Sequence, residues 1–457
     1  MRAKAKEQHR HRPLRLRLAS ALSLALSACG LGTGAPVAHA GQTIVVENCD
    51  DSGSGSLREA YASAHDGDTV DLSALTCSTI TLTNGPIVSA PDAGYVTLQA
   101  YYAHRLVVDG GHTDRVIMHS GSRVAVNGFD VTGGVAHDAL GGGCIYSSGD
   151  VALLDSTVSD CEVSTSGTVA AKGGGIRAMH GVVLRRSRVT GNRAHADEAD
   201  ADGGGIHALY AISAFQNTIS GNTASGDGSH YARGGGIFAG GYLRFDEITV
   251  SGNQADSGGG IYVGYSSQFI TPRLGNATVS GNHANGAAGG ILAGRSIHLY
   301  NTTVTGNTAV FDFGAGVYLA AGDLDLHSTI AANNSTGDGL HSADIAGHAG
   351  AVITGVHNLV VASTLALPAD TLSGDPMLGP LADNGGGLET HALLAGSPAI
   401  DAGENPLGFF ADERAYVCPP VGQCVEAERT IGAATDIGAF EFGAPDHIFD
   451  DGFDPEA

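Results

Sequence analysis

Apolar positions along this chain follow neither a helical stripe nor an unbroken alternation; they come in short alternating bursts at a regular interval. An asparagine slot recurs at Asn192, Asn222, Asn253, Asn282, Asn307 and Asn333, and each asparagine is followed by a gap, a glycine run and an apolar residue. That apolar residue is Ile145, Ile176, Ile206, Ile237, Ile261, Ile291 and Val317, at steps of 24 to 31 residues. A period of this length points to a solenoid, a propeller or another stacked array. Between a glycine run and the next asparagine lie stretches such as YLRFDEITVSGN, SIHLYNTTVTGN and VVLRRSRVTGN, whose alternation predicts strands. Leu184 to Val189, Phe245 to Val250, Leu274 to Val279 and Leu299 to Val304 are each five apart. An odd step breaks the period of two, so the chain must bend there.

One repeat therefore holds three short strands, and such a unit cannot bury its apolar side alone. Stacked into coils, each strand pairs in parallel with its counterpart one turn on, and the inward Ile, Leu and Val merge into one column. The expected fold is all-β, a single-stranded right-handed parallel β-helix with three strands per coil. A propeller would want four-stranded blades, and leucine-rich repeats a denser leucine pattern. The asparagine, placed in a left-handed turn position, is expected to stack its amide on the coil below and form a ladder. The glycines are expected to supply positive φ and close backbone approach. Both are scaffold roles.

The N-terminus changes the compartment. MRAKAKEQHRHRPLRLR is basic, the apolar run LASALSLALSACGLG follows, and AHA ends at Ala40, so residues 1–40 read as a secretory signal. Lipidation at Cys29, after LSA, is the alternative processing route. The apolar run is too short for an ordinary membrane span. Without residues 1–40 the chain has 46 acidic and 16 basic residues, net about −30, with Lys172 its only lysine. Such a charge speaks against nucleic acid and repels anionic polysaccharide unless a cation bridges it. Export and an even count suggest disulfides among Cys49, Cys77, Cys144, Cys161, Cys418 and Cys424, with neighbouring pairs favoured. Cys144 sits in a glycine slot and Cys161 in the asparagine slot just after it. Zinc is the weaker reading, because no CxxC or HxxxH spacing accompanies these cysteines.

The ends carry a resemblance. Cys49 with DDSGSGSLREAYASAHDGDTVDLS resembles the N-terminal segment of polymorphic outer-membrane-protein-like β-helices named for a CSLREA motif, although Ser-Gly-Ser stands before LREA here. Ser56 and Glu59 form a capping-box pattern that predicts a short helix covering the open end of the solenoid. DPMLGPLADNGGGLETHALLAGSPAIDAG, then DERAY and DIGAFEF, resembles the choice-of-anchor Q domain of secreted bacterial β-helix proteins. Where that domain has Asp-Gln-Arg-Gly, this chain has Asp412, Glu413, Arg414 and Ala415. The terminal HIFDDGFDPEA is similar to short sorting tails. The resemblance implies a pectin-lyase-like β-helix in the order signal 1–40, cap and first rungs 41–105, repeats 106–365, choice-of-anchor Q-like region 366–442 and tail 443–457. It implies an extracellular or outer-membrane surface location and names no activity.

Three features are candidates for function. Residues beside the buried Ile of each coil, Tyr146, Arg177, His207, Phe238, Tyr262, Leu292 and Tyr318, are expected to face solvent as a glycan-stacking stripe, since coils about 4.8 Å apart nearly match a sugar unit. An aromatic ladder that only stabilises the sheet is the competing reading. The loop bearing Asp197, Glu198, Asp200 and Asp202 could hold calcium, yet lacks a calcium-loop pattern and also reads as solvated surface. If the chain is an enzyme, Arg186 as base with Asp246 and Glu247 as carboxylates are the candidates; surface ion pairing explains them equally. The sequence thus favours a secreted or surface-displayed adhesion or glycan-binding protein without catalysis, acting as a monomer on extracellular polysaccharide or a host or neighbour-cell surface and needing no cofactor. The alternative is a polysaccharide lyase or glycoside hydrolase.

Overall fold

The computed structural model describes residues 41–100, 105–265, 270–311, 314–337, 343–417 and 425–443. The expected signal segment, Cys29, the pair Cys418 and Cys424, and the tail beyond Phe442, Gly443 apart, lie outside the described residues.

The chain is the expected right-handed parallel β-helix. Ten short strands, from Ile87–Val88 to Ile345–Gly347, stack into one sheet. Within it Ile145, Ile176, Ile206, Ile237, Ile261, Ile291 and Val317 pair in consecutive register. A second sheet holds the long bent strands, such as Ala211–Ser220, Tyr242–Ser251 and Arg273–Ser280, and a third holds the segments after the asparagines, such as Gln254–Ser257. Strands in these sheets pair in parallel, so the inward Ile, Leu and Val form a single apolar column.

The five-residue apolar step is a left-handed bend. Asp155, Arg186, Gln216, Glu247, Asn276, Asn301 and Ser328, one per coil, have φ between 45° and 59°. That turn restores the inward direction after an odd number of residues, which lets both halves of the strand feed the core.

The asparagine ladder exists, with two differences from expectation. Amide Nδ2 donates to the next Oδ1 from Asn192 to Asn222, Asn253, Asn282, Asn307 and then Asn334, at 2.8 to 2.9 Å, and Asp344 ends the row at 2.8 Å. The last member is Asn334, and Asn333 takes the left-handed position before it. In the other coils that position belongs to the preceding glycine, as at Gly221 and Gly252. A ladder side chain must point into the corner, so the positive φ falls on the residue before it. The glycine run divides its work similarly. Gly258 supplies φ of +61°, whereas a Cβ on Gly259 would lie 2.2 Å from the His283 carbonyl oxygen.

A helix at Leu57–Ser63 caps the solenoid start. Ser56 Oγ accepts from the Glu59 N–H at 3.3 Å, and Glu59 Oε2 accepts from the Gly55 N–H at 2.8 Å. Leu57, Ala60 and Tyr61 enter the apolar column, where the Tyr61 hydroxyl hydrogen-bonds His119 Nδ1 at 2.8 Å. Disulfides join Cys49 to Cys77 and Cys144 to Cys161, with Cα separations of 6.4 and 5.5 Å.

After the last coil the chain forms two antiparallel ribbons, Leu378–Asp383 with Glu389–Leu393 and Ala411–Val417 with Val425–Glu428. This C-terminal segment returns over the outer face of the bent-strand sheet. The Glu413 carboxylate accepts from the Thr249 and Thr278 hydroxyls, Ser280 Oγ meets His391 Nε2 at 2.8 Å, and Asn276 Nδ2 donates to the Ala411 carbonyl at 2.7 Å. Asp412 and Arg414 pair at 2.6 Å, fully buried, and Arg429 meets Glu441 at 3.5 Å beside them. The guanidinium of Arg414 also lies 4.0 Å over the Phe440 ring.

Candidate functional site

The stripe residues fall in register on neighbouring strands: Tyr146 on Arg177, then His207, Phe238, Tyr262, Leu292 and Tyr318. His207, Phe238 and Tyr262 stack nearly parallel, with centroids 4.8 and 5.1 Å apart. Their expected exposure differs from the structure. Tyr146, Arg177, His207, Tyr262 and Leu292 are buried, and Phe238 and Tyr318 are half-buried. Alternation gives the side of the strand, and side chains from the neighbouring corner then cover it. Arg115 lies over Tyr146 at 5.8 Å, and Arg233 covers Phe238 and Tyr262 at 5.5 and 5.6 Å. Arg177 turns its own donor to the Ala139 and Leu140 carbonyls. Burial, with nearby Arg177, Lys172 and Arg233, pushes the His207 imidazole down to about 3.

At one point the cover opens. Tyr231, Arg233, Ser257, Tyr262, Tyr265, Leu292 and Ala320 line an open depression of about 200 Å³. Tyr231 and Tyr265 stand at its rim, 68% and 66% exposed. They come to the depression from different segments of the chain. Tyr231 comes from the corner before Ala232–Arg233, and Tyr265 from the loop after Val263. Neither tyrosine belongs to the repeat pattern, and that is why the sequence reading missed them. Their signal was aromatic residues in the gaps that differ between copies.

The acidic loop does not gather as a cation site. Arg233 Nε donates to Asp202 at 2.7 Å, and its Nη2 donates to Asp200 at 2.8 Å and to Asp202 at 3.0 Å. Asp202 is buried, and burial raises its carboxyl while Arg233 opposes the rise. Asp197 lies 3.2 Å from His195 Nε2, and Glu198 is exposed. A guanidinium takes the place a calcium ion would need, because its fork matches two carboxylates of the preceding coil.

Arg186, Asp246 and Glu247 do not converge either. Arg186 pairs with Asp155 through two contacts of 2.6 Å, and Asp246 pairs with Arg273 at 2.7 Å and Arg244 at 3.1 Å. Arg186 and Glu247 occupy the same left-handed bend two coils apart, with Gln216 between. Glu247 is buried, its Oε2 has no hydrogen-bond partner among the described residues, and burial pushes its carboxyl up to about 8.

A second convergence lies on the bent-strand sheet where the C-terminal segment meets it. His298 Nδ1 hydrogen-bonds the Tyr300 hydroxyl at 3.2 Å, and that hydroxyl donates to Asp325 Oδ2 at 3.1 Å. His327 lies between Asp325, 3.4 Å from Nε2, and Glu404, 2.7 Å from Nδ1. His357 stands 3.8 Å from the other Glu404 oxygen. Asp325 together with burial pushes the Tyr300 hydroxyl up to about 12, burial being the larger cause. Glu404 arrives from the C-terminal segment, over 70 residues from His327, so no spacing in the sequence announces the group.

The chain matches no family model, and no curated protein sequence matches it. Among solved structures it is similar to one titled "Crystal structure of pectate lyase Pel9A", at 12% identity and a TM-score of 0.43, over 88% of this chain and 96% of that one. At that score the likeness bears no weight; the parallel register of the coils already fixes the fold.

Proposed function

We propose that this chain is an exported β-helix that binds an extracellular glycan at the depression around Tyr262 and does not turn it over. The observation that carries this reading is the pair of exposed phenols, Tyr231 and Tyr265, lining one depression with the buried Tyr262. Exposed phenol rings can stack on pyranose C–H surfaces, and their hydroxyls at the rim suit sugar hydroxyl groups. Two disulfides support an oxidising compartment. No helix among the described residues is long and apolar enough to cross a membrane.

The competing reading is a carbohydrate-active enzyme, and the hydrogen-bonded row from His298 to Glu404 favours it, because an imidazole flanked by carboxylates suits general acid or base work. One experiment separates the two. Wild-type protein is incubated with a panel of extracellular polysaccharides, and both bound polymer and new reducing or unsaturated ends are measured. Binding without product, lost in a Tyr231→Ala/Tyr265→Ala double variant, is expected. Product that disappears in His327→Ala or Glu247→Gln would overturn the non-catalytic reading.

A further inference from the structure

Charged side chains are unevenly placed around the depression. Lys172, Asp202, Arg233 and Ser257 form one register column on successive coils of the sheet beside the stripe. Positive, negative and positive side chains thus alternate up to Ser257, where charge stops. Asp200 adds a second carboxylate on Arg233. Arg233 is thus held by two carboxylates of the preceding coil. Asp256, beside Ser257, turns its oxygens to the Ala232 N–H and the Asn285 amide, each at 3.1 Å. The floor continues through Tyr262, Leu292 and Ala320 without a formal charge.

Among the described residues Arg233 is the one cation lining the depression, and its fork is engaged by Asp200 and Asp202. Drawing it toward a ligand carboxylate would leave Asp202 buried with its charge uncompensated, a costly exchange. A polyuronate would also approach a chain that, without residues 1–40, carries a net charge of about −30. What remains on offer is aromatic surface, three phenol hydroxyls, the Ser257 hydroxyl and the guanidinium face.

Resting on the glycan-binding reading above, we infer that the depression selects an uncharged polysaccharide over a uronate-rich one, with Tyr231 and Tyr265 clasping a sugar ring above Tyr262. Selectivity then comes from stacking and desolvation, and a guanidinium already paired with two carboxylates leaves little for salt to screen. The ion trio has a separate role as a rigid support that keeps Arg233 over the two rings.

The test is affinity electrophoresis, followed by calorimetry, on full-length processed protein at low and high sodium chloride. Probes are soluble glucomannan, xyloglucan and arabinoxylan as neutral chains, polygalacturonate and alginate as polyanions, and chitosan as polycation. The expected result is binding to a neutral chain, changed less than about twofold by salt and weakened about tenfold or more by Tyr265→Ala. Salt-sensitive preference for a polyanion or polycation that still depends on Tyr265 would overturn the neutral class and leave glycan binding standing. Absence of binding across the panel, or binding indifferent to both tyrosines, would overturn glycan binding at this site and the selectivity with it. Circular dichroism of the variants keeps misfolding apart from lost contact, since both tyrosines are exposed.

Discussion

Asn253 joins three coils through one side chain. Its Oδ1 accepts from the backbone N–H and the amide of Asn222, and its Nδ2 donates to the Ile219 carbonyl and to Asn282. Asn253→Ala leaves the Asn222 N–H and amide without their buried acceptor and cuts the row between Asn222 and Asn282, so a loss of roughly 2–4 kcal/mol is expected in urea unfolding. Gln254→Ala next door, exposed, should stay within about 0.5 kcal/mol. A midpoint for Asn253→Ala as close to wild type as that would sink the ladder as a stabilising device. The recurring asparagine made the ladder legible in the sequence. Its conformation was not, because glycine and asparagine both tolerate left-handed geometry and the order Gly-Asn does not say which uses it. The covering of Tyr262 was illegible for another reason: Arg233 reaches it from the preceding coil, and alternation speaks only of a residue's own strand.

At the scale of elements, the Cys144–Cys161 bridge and the ladder form one construction. Cys161 takes the asparagine slot, and its N–H donates to Asn192 Oδ1 at 3.1 Å, so the bridge anchors the head of the row. The two cysteines are 17 residues apart. Replacing both by alanine releases a loop whose closure is worth about 3 kcal/mol, and guanidinium unfolding should show a loss of that size with the far-ultraviolet spectrum unchanged. A double variant as stable as wild type would mean that the coil fixes those ends unaided. Slot position was enough to foresee this neighbourly pairing. The bent strand was legible only in part. Its five-residue step announced a bend, but a left-handed residue at Arg186 and Glu247, and a C-terminal segment packed nearby, depend on contacts that no local pattern encodes.

For the whole molecule, the return of the C-terminal segment over the solenoid sets the response to pH. It buries Glu413 among the Thr249 and Thr278 hydroxyls, and burial raises that carboxyl well above its ordinary value. Burial likewise pushes Glu441 up to about 7 and Glu247 to about 8. A carboxyl raised on folding keeps its proton in the native state at pH values where the unfolded chain has shed it. Its contribution is therefore complete below the unfolded value, declines as pH rises, and is gone above the folded one. His119, His207 and His391, lowered mainly by burial, act in the opposite sense, but only below about pH 6.5, where an unfolded histidine charges. Between about pH 6.5 and 8 the carboxyls act unopposed, each worth up to about 1.4 kcal/mol per pH unit. Denaturant unfolding across that window should show stability falling by roughly 2–4 kcal/mol. Glu247→Gln keeps the shape of the side chain and removes its proton equilibrium, so the variant should show a shallower fall and exceed wild type at pH 8. Stability that rises across the window, or an equal slope in Glu247→Gln, would mean that the return segment opens and hydrates these carboxyls before the coils unfold.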